Sequence, residues 1–341
     1  MANWYIQTGK NSDVVVSSRV RLVRNIKNIP FLTKCSDDEK KAIIEKLENI
    51  IPSIGYGLKL FRMDKIDDIT RLSLVEKHLI SPEFASKNDN LKLKAILIND
   101  DENICIMINE EEHLKLQVFT AGLDLENIKN LIVELDDKLD ELLKFSCNKQ
   151  YGYLTSCPTD LGTGMKASVM VHLPALEITG NLNKVLHIVN SFGMNIKGIY
   201  GNGSQSVGNI YQISNNQTLG LTEEEIIKNL NIITLKIIEQ ERLARKNLTK
   251  EAIELEDKVY RSYGILTNAR KISAQECLKL LSDIKLGMDM GIIEELTDLK
   301  VNKLKIYLQT GNLQKYIGKQ LNAYERDIER TKIIKKIIKE K

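Results

Sequence analysis

The sequence predicts an α+β protein, an antiparallel sheet flanked by helices and followed by a helical C-terminal domain. Three observations predict it. Short apolar runs with period-2 alternation, bounded by turn residues, recur through the first two-thirds of the chain, as strands do. Helical patterns fall among them without the strict strand–helix alternation of a parallel sheet. Beyond about residue 245 the pattern is helical almost throughout.

Each element follows in order. "DVVVSSRVRLVRNI" reads as a strand carrying Arg19, Arg21 and Arg24, with Arg19 and Arg21 on one face. "SDDEKKAIIEKLENII" has a serine at the N-cap and apolar residues at helical spacing, so it is a helix. "LKLKAILINDDENICIMINEEEHLKLQVF" reads as strand, acidic turn, strand, polar loop and a further strand. Ile128, Leu131, Ile132, Leu135, Leu139, Leu142 and Leu143 mark a long amphipathic helix over residues 125 to 145. "YGYLTSCPTDLGTGMKASVMVHLPAL" joins a Gly/Pro-punctuated loop to a strand. "NIYQISNNQTLGLTEEEIIKNL" ends a strand, turns, and opens a helix through the capping box Thr222/Glu225, and Ser273/Glu276 offers a second box. The chain divides into a short segment (1–12), a mixed unit (13–248) and a helical unit (249–341), with the boundary near residues 245–255.

Composition narrows the function classes. The 341 residues carry a net charge of +3, too balanced to demand nucleic acid as a partner. Arginine is scarce, at eleven residues, so three on one strand stand out. The five cysteines form no C-x-x-C pair, and no histidine cluster lies beside them, so a zinc site is not expected. The N-terminus has no apolar signal core and no run approaches membrane-spanning length. The expectation is a cytoplasmic protein with reduced thiols and no membrane association.

Four segments could carry chemistry. The guanidinium groups of "SSRVRLVRN" suit multidentate phosphate recognition, against the alternative of a solvated basic strand face. "NEEEHLKLQ" sets three carboxylates beside His113 and Lys115, either a grip for a cationic substrate or an exposed acidic turn. In "SCPTDLGTGMKAS", Cys157 precedes a proline. Thr159, Gly162, Thr163, Gly164 and Lys166 could form a phosphate nest beside the thiol, or a structural glycine turn. "YGNGSQSVGN" has glycines at 201, 203 and 208. It fails both the dinucleotide and the P-loop patterns and reads as a lid over a ligand.

In this order the four segments resemble the phosphagen (guanidino) kinase family, and within it the bacterial McsB-type protein-arginine kinases. The carrying residues are "SSRVRLVRN", "NEEEHLKLQ", "LTSCPTDLGTGMKASVMVHLPAL" and "GNIYQISNNQTLG", and the Cys-Pro-Thr-x-Leu-Gly-Thr block is the most specific. Residues 13–248 would be the catalytic domain. In the helical unit "RDIERT" resembles the branch's phosphoarginine pocket, with Thr331 in place of Ala. There is no counterpart of the helical N-terminal domain of the small-metabolite kinases, which favours a protein substrate.

The resemblance implies MgATP as cosubstrate and in-line phosphoryl transfer to a guanidinium. It implies Glu111 as the group that grips and orients that guanidinium, Cys157 as a thiolate against it, and Asn202 at a second gripping position. The nucleotide would lie on Ser17, Ser18, Arg19, Val20 and Arg21, on His78 and Lys115, on Lys166, Ala167, Ser168, Val169 and Met170, and on Lys197, Gly198, Ile199, Tyr200, Gly201 and Asn202. No protein metal ligand is implied. Arg326, Asp327, Ile328, Glu329, Arg330 and Thr331 would bind phosphoarginine. Implied partners are arginine-bearing proteins, an activator protein, a Clp-type ATPase/protease and a second copy of the chain, in an allosterically regulated stress response. The family pattern has Arg where this chain has Lys115, Lys166 and Lys197, and Glu where it has Asn202, which predicts reduced activity. A phosphoarginine-reading adaptor without kinase activity, and a kinase for a free guanidino metabolite, are the alternatives. The basic tail "KIIKKIIKEK" reads as a solvated helix end whose isoleucines pack on the domain or on a second subunit, against the alternative of contact with a membrane surface or nucleic acid.

Overall fold

The computed structural model describes residues 3–87, 90–199, 206–249 and 252–340. Its elements begin with β1 (Val15–Arg24), α1 (Asp37–Ile54), β2 (Lys59–Arg62) and α2 (Asp68–Glu76). They continue with β3 (Ala95–Ile98), β4 (Ile104–Ile108), β5 (Leu114–Ala121), α3 (Leu125–Leu143) and a small hairpin of β6 (Cys147–Asn148) and β7 (Gly152–Tyr153). Then come β8 (Met165–His172), α4 (Pro174–Ile178), α5 (Leu182–Ser191), β9 (Met194–Gly198), β10 (Ile210–Asn215) and α6 (Glu223–Leu248). The remainder is α7 (Ala252–Asn268), α8 (Ala274–Asp289), α9 (Asp298–Tyr307), α10 (Thr310–Ile317) and α11 (Ala323–Lys339).

Eight strands form one sheet in the order β2-β3-β4-β5-β1-β8-β10-β9, with every neighbouring pair antiparallel. Successive side chains on a strand point to opposite faces, and paired residues on neighbouring strands point the same way. Val20 and Leu22 of β1, Leu116 and Val118 of β5 and Ala167 and Val169 of β8 therefore share one face. That face is the main core, closed by Ile43 and Leu47 of α1, Ile132 and Leu139 of α3, and Ile227 and Leu230 of α6.

The opposite face is divided. Over β3, β4 and β5 it carries Ile96, Ile98, Cys105, Met107 and Phe119, covered by Leu74 of α2 and by Trp4, whose ring stacks on Phe119 at 5.0 Å between centroids. Over β1, β8, β10 and β9 it is polar, and the candidate site lies there.

The helical unit has its own core, including Leu281, Ile284, Leu304, Leu313 and Ile334. It docks on α2 through α10. The partly buried Glu76 carboxylate accepts the Gly311 N–H at 2.7 Å, the Asn312 N–H at 2.8 Å and Asn312 Nδ2 at 2.9 Å. The free N–H groups and positive end of a helix suit a carboxylate in that place.

Two expectations need correction. Arg24 does not join Arg19 and Arg21. An even-numbered position puts it on the core face, where Nη2 pairs with Asp136 of α3 at 2.7 Å and the guanidinium lies 3.5 Å from the Tyr153 ring centroid. Thr222/Glu225 closes as a full capping box, but at Ser273 only half forms: the serine Oγ accepts the Glu276 N–H at 3.2 Å with no reciprocal bond.

Candidate active site

Strand register builds the polar face. Arg21 lies opposite Lys166 and Gln117, Arg19 opposite Ser168 and Phe119, and Ser17 opposite Met170. Met170 lies opposite Gln212, which lies opposite Lys197. Lys115 shares this face, two residues before Gln117. Five cations from four strands therefore project from one side of the sheet. Ser18, Val20, Ala167 and Val169 alternate to the other side: Ala167 and Val169 pack in the main core, and Ser18 Oγ donates to the Gly122 carbonyl at 2.8 Å. Any part these four play in holding a ligand is through their backbone.

Four of the five cations lack an ion-paired acid among the described residues. Among the described residues none of Arg19, Arg21, Lys166 and Lys197 makes an ion pair. Arg19 Nε donates to Ser168 Oγ at 3.2 Å and Nη2 to Gln212 Oε1 at 3.4 Å, both neutral acceptors. Burial, and then the Arg21 charge, weigh against the cationic form of Arg19. Burial lowers the Lys166 pKa as well, reinforced by Arg21, Lys197 and Arg19 and opposed by Asp160. Like charges held this close, with no acid in direct ion-pair contact, are relieved by a bound polyanion. Lys115 differs: it is buried and paired with Glu110, and its Nζ lies 3.4 Å from Glu111.

His78 follows the C-cap of α2 with φ +62°, a left-handed conformation that turns the chain toward Arg19. Burial pushes its pKa down to about 4, and the Arg19 charge adds to this. The position near the nucleotide that the resemblance implies for His78 is thus beside Arg19. Gly198 and Ile199 close β9 at the edge of the face. Tyr200, Gly201 and Asn202, with the rest of the expected lid through residue 205, lie outside the described residues.

Beside this face is a cleft of about 480 Å³ whose walls include Asn109, Glu110, Glu111, Ser156 and Cys157. The three glutamates of "NEEEH" meet three fates. Asn109 takes φ +61° and turns the chain out of β4, and asparagine tolerates that conformation better than most residues. Glu110 binds Lys115 and accepts from Ser81 Oγ at 2.7 Å. Glu111 stands in the cleft with its side chain 65% exposed. Glu112 is wholly buried and accepts the Ser156 N–H at 2.6 Å, the Cys157 N–H at 3.1 Å, Ser156 Oγ at 3.0 Å and Asn25 Nδ2 at 2.5 Å. His113 is a satisfied core residue: Nδ1 accepts the Ile26 N–H at 3.0 Å and Nε2–H donates to the Pro30 carbonyl at 2.8 Å, which fixes its tautomer.

The structure thus brings Glu111 and Cys157 to one cleft. Cys157 Sγ lies 3.0 Å from Thr159 Oγ1. Gly162 and Gly164 do not form an open phosphate nest. Gly162 (φ +108°) packs against the Thr218 backbone, and Gly164 (φ +63°) against Val23 and the Arg24 guanidinium, leaving no room for a ligand. Thr163 is spent on Thr218 and Arg24. Sequence reasoning missed Glu112 and Glu110. The only available signal was the run of three acids itself, since which acid turns inward depends on the turn at Asn109.

On α11 the expected phosphoarginine positions do not form an open pair of guanidiniums. Arg330 is buried, its Nε donating to the Leu308 carbonyl at 2.7 Å and its Nη1 to the Ile272 carbonyl at 2.6 Å and to Asp327 at 2.7 Å. Arg326 is half-buried and donates to the Leu321 carbonyl at 2.9 Å. Thr331 Oγ1 donates back to the Ile328 carbonyl, and Glu329 pairs with Lys332. Among the described residues no three His, Cys, Asp or Glu side chains are grouped to hold a metal ion.

Comparison with known proteins places the chain in a family. Residues 40–244 match the family profile of the ATP:guanido phosphotransferase C-terminal catalytic domain, and residues 252–341 match that of the protein-arginine kinase McsB C-terminal domain. The chain is 47% identical over 337 residues to a protein-arginine kinase of Halothermothrix orenii, covering 98% of this chain and 96% of that protein. It is 43% identical to a protein-arginine kinase of Bacillus subtilis, covering 98% and 93%. Among solved structures it resembles the duplicated taurocyamine kinase of Schistosoma mansoni with bound transition-state-analogue components (TM-score 0.58, 26% identity, 67% of this chain and 33% of that one). In fold it also resembles a lombricine kinase (TM-score 0.61, 22% identity, 71% of each chain). The chain belongs to the ATP:guanido phosphotransferase family.

Proposed function

We infer that the protein is an ATP-dependent protein-arginine kinase, transferring the γ-phosphoryl group of ATP to arginine side chains of proteins. The observation that carries this reading is the adjacency of two features: a sheet face of five cations, four of them in no ion pair among the described residues, and a cleft presenting Glu111 and Cys157. The near-full-length likeness to proteins named protein-arginine kinase supports it.

The residues divide the work as follows. Arg19, Arg21, Lys166 and Lys197 hold the phosphates, and Lys115 reaches them from its pairing with Glu110. Ser17, His78 and Met170 continue the same face toward the nucleoside, and Gly198 and Ile199 bound it. The exposed Glu111 carboxylate receives the substrate guanidinium, with the Cys157 sulfur on the same cleft wall. A guanidinium nitrogen attacks the γ-phosphorus, the bond to the ADP oxygen breaks, and the nitrogen's proton passes to Glu111. Arginine has a pKa above about 12, so proton loss accompanies attack rather than precedes it. Such transfer is chiefly positioning and charge neutralisation. Mg²⁺ would arrive on the phosphate oxygens and neutralise their charge; the protein's own donors at this face are cations, which suit the nucleotide and not the ion.

Lys in place of Arg at 115, 166 and 197 keeps charge but loses the planar fork, and Asn202 cannot take a proton. The reading therefore includes a slower reaction than the family pattern would support. On the same reading residues 13–248 are the catalytic domain, and residues 249–341, with Arg326 and Arg330, bind phosphoarginine and a second copy of the chain. An activator protein, delivery of marked proteins to a Clp-type protease, allosteric stress regulation and a cytoplasmic setting complete it. No helix among the described residues is long and apolar enough to cross a membrane.

Incubation with MgATP and an arginine-rich protein should yield acid-labile phosphoarginine, lost in Cys157→Ser and raised in Asn202→Glu. A chain that binds ATP but forms no phosphoarginine on protein would defeat the kinase reading and leave the phosphoarginine-reading adaptor. Faster turnover of a small guanidine than of protein would instead favour the metabolite kinase.

A further inference from the structure

A second, smaller cavity, of about 50 Å³, joins the Ser17–Met170 end of the polar sheet face to α9 of the helical unit. Ser17, Met170 and His78 form one side of it, and Asn302 and Lys305 of α9 the other, with Trp4 between them. Two donors there lack a protein partner among the described residues, and that of Trp4 is fully buried. Trp4 is 7% exposed and its indole N–H has no acceptor among the described residues. The Lys305 ammonium, partly buried, has no hydrogen-bond or ion-pair partner among them either. The neighbouring acids are already engaged: Asp289 with Lys285 and Arg245, and Asp298 with Lys285. Burial, followed by the charge of Lys285, pushes the Lys305 pKa down to about 8, with Asp289 and Asp298 opposing. Asn302 Nδ2 donates to the Ile6 and Gln7 carbonyls at 3.3 and 3.1 Å, pinning the N-terminal segment that carries Trp4.

The position of this cavity along the sheet indicates its ligand. The Ser17/Met170 pair is one step of two residues beyond Arg19/Ser168, about 7 Å further from the reacting end. With phosphates on Arg19, Arg21 and Lys166, the group reaching Ser17 and Met170 is the nucleoside; at about 50 Å³ the cavity admits only an edge of it, a ring nitrogen or a sugar oxygen, and both are acceptors. We propose that Lys305, carried by the C-terminal helical unit, is a ligand-binding residue of the nucleotide site that hydrogen-bonds the nucleoside end of ATP, so that the site is incomplete without that unit. This rests on the nucleotide reading of the sheet face. It makes α9 part of the cosubstrate site rather than a separate binding module.

The chain's single tryptophan, Trp4, lies in the cavity wall and reports its occupancy by fluorescence. The test measures binding of ATP and of inorganic tripolyphosphate to the full-length chain, to Lys305→Met and to Lys305→Gln, with thermal melts of each to establish folding. ATP should shift Trp4 emission and bind both variants about tenfold more weakly, while tripolyphosphate affinity stays the same. ATP binding equal in wild type and both variants overturns the proposal and leaves the nucleotide reading standing. An equal loss for ATP and tripolyphosphate also overturns it, because Lys305 would then act on the phosphates. No ATP binding by the wild-type chain overturns the nucleotide reading and this inference with it.

Discussion

The backbone N–H of Cys157 donates to the buried carboxylate of Glu112 at 3.1 Å, so the acid next to Glu111 in sequence holds the thiol-bearing loop rather than substrate. Three further donors, from Ser156 twice and from Asn25, converge on the same carboxylate. Glu112→Gln keeps the shape but turns an NH2 group toward donors, leaving at least one unsatisfied, at about 1–3 kcal/mol. A displacement of about 1 Å at a reacting group costs on the order of a hundredfold in rate. The expected outcome is a kcat lowered by roughly that factor, with ATP affinity retained and Cys157 alkylated at a changed rate. Steady-state kinetics with thiol titration checks it, and unchanged kcat would show that the loop holds itself.

Much of this site was legible in the sequence because strand periodicity is strict. Arg19 and Arg21 had to share a face, whereas the pairing with β8 that sets Lys166 opposite Arg21 is a matter of register, which strand periodicity does not carry. The Gly/Thr turn after Cys157 was ambiguous because a glycine needed for close backbone packing and one needed for a ligand look alike. Contact of Gly162 with Thr218, 56 residues away in sequence, decides it, and no local pattern carries such information. Arg24 was separable by parity alone, but its Asp136 partner on α3 was not. The cavity at Lys305 was invisible for the same reason: it joins Trp4, Ser17 and α9, which only the tertiary fold assembles.

His172 gives a pH dependence of known sign. Nε2 lies 2.8 Å from Ser282 Oγ, Nδ1 is buried without a partner among the described residues, and burial, aided by Lys305, Arg245 and Lys285, holds its pKa well below 6.5. The folded chain keeps this ring neutral, while the unfolded chain takes up a proton as pH falls through about 6.5. Its contribution to stability is therefore present above that pH and lost below it, by up to about 1.4 kcal/mol per pH unit for one proton. Denaturant unfolding of wild type and His172→Gln between pH 7.5 and 5.5 should show a slope shallower by one proton in the variant. Parallel curves would mean the ring is charged in the fold.

Gly311 sits where α10 meets α2, and a Cβ there would lie 2.7 Å from the Ser73 nitrogen and 2.8 Å from Leu72 Cγ. Gly311→Ala forces the helices apart and lengthens the Glu76 hydrogen bonds. A cost of about 1–3 kcal/mol is expected from such overpacking. The loss should be local: protease cuts in α9–α11 should appear sooner than cuts in the sheet. Uniform digestion would show that the two units melt as one.

Arg330 is bound to its own fold more firmly than a ligand-binding residue needs to be. Its donors satisfy the carbonyls that end α9 and precede α8, and Asp327 holds the guanidinium at 2.7 Å. Arg330→Ala leaves two buried carbonyls without donors, and each costs about 1–3 kcal/mol. The variant should therefore lose stability whether or not it reads phosphoarginine. Half-buried Arg326, with one backbone contact, should cost less than about 1 kcal/mol as Arg326→Ala. Calorimetry with phosphoarginine on Arg326→Ala, with melts of both variants, separates the roles. Lost binding in a normally stable Arg326→Ala assigns recognition to this helix face. Retained binding there, with a destabilised Arg330→Ala, makes the arginine pair an architectural feature of the helical unit.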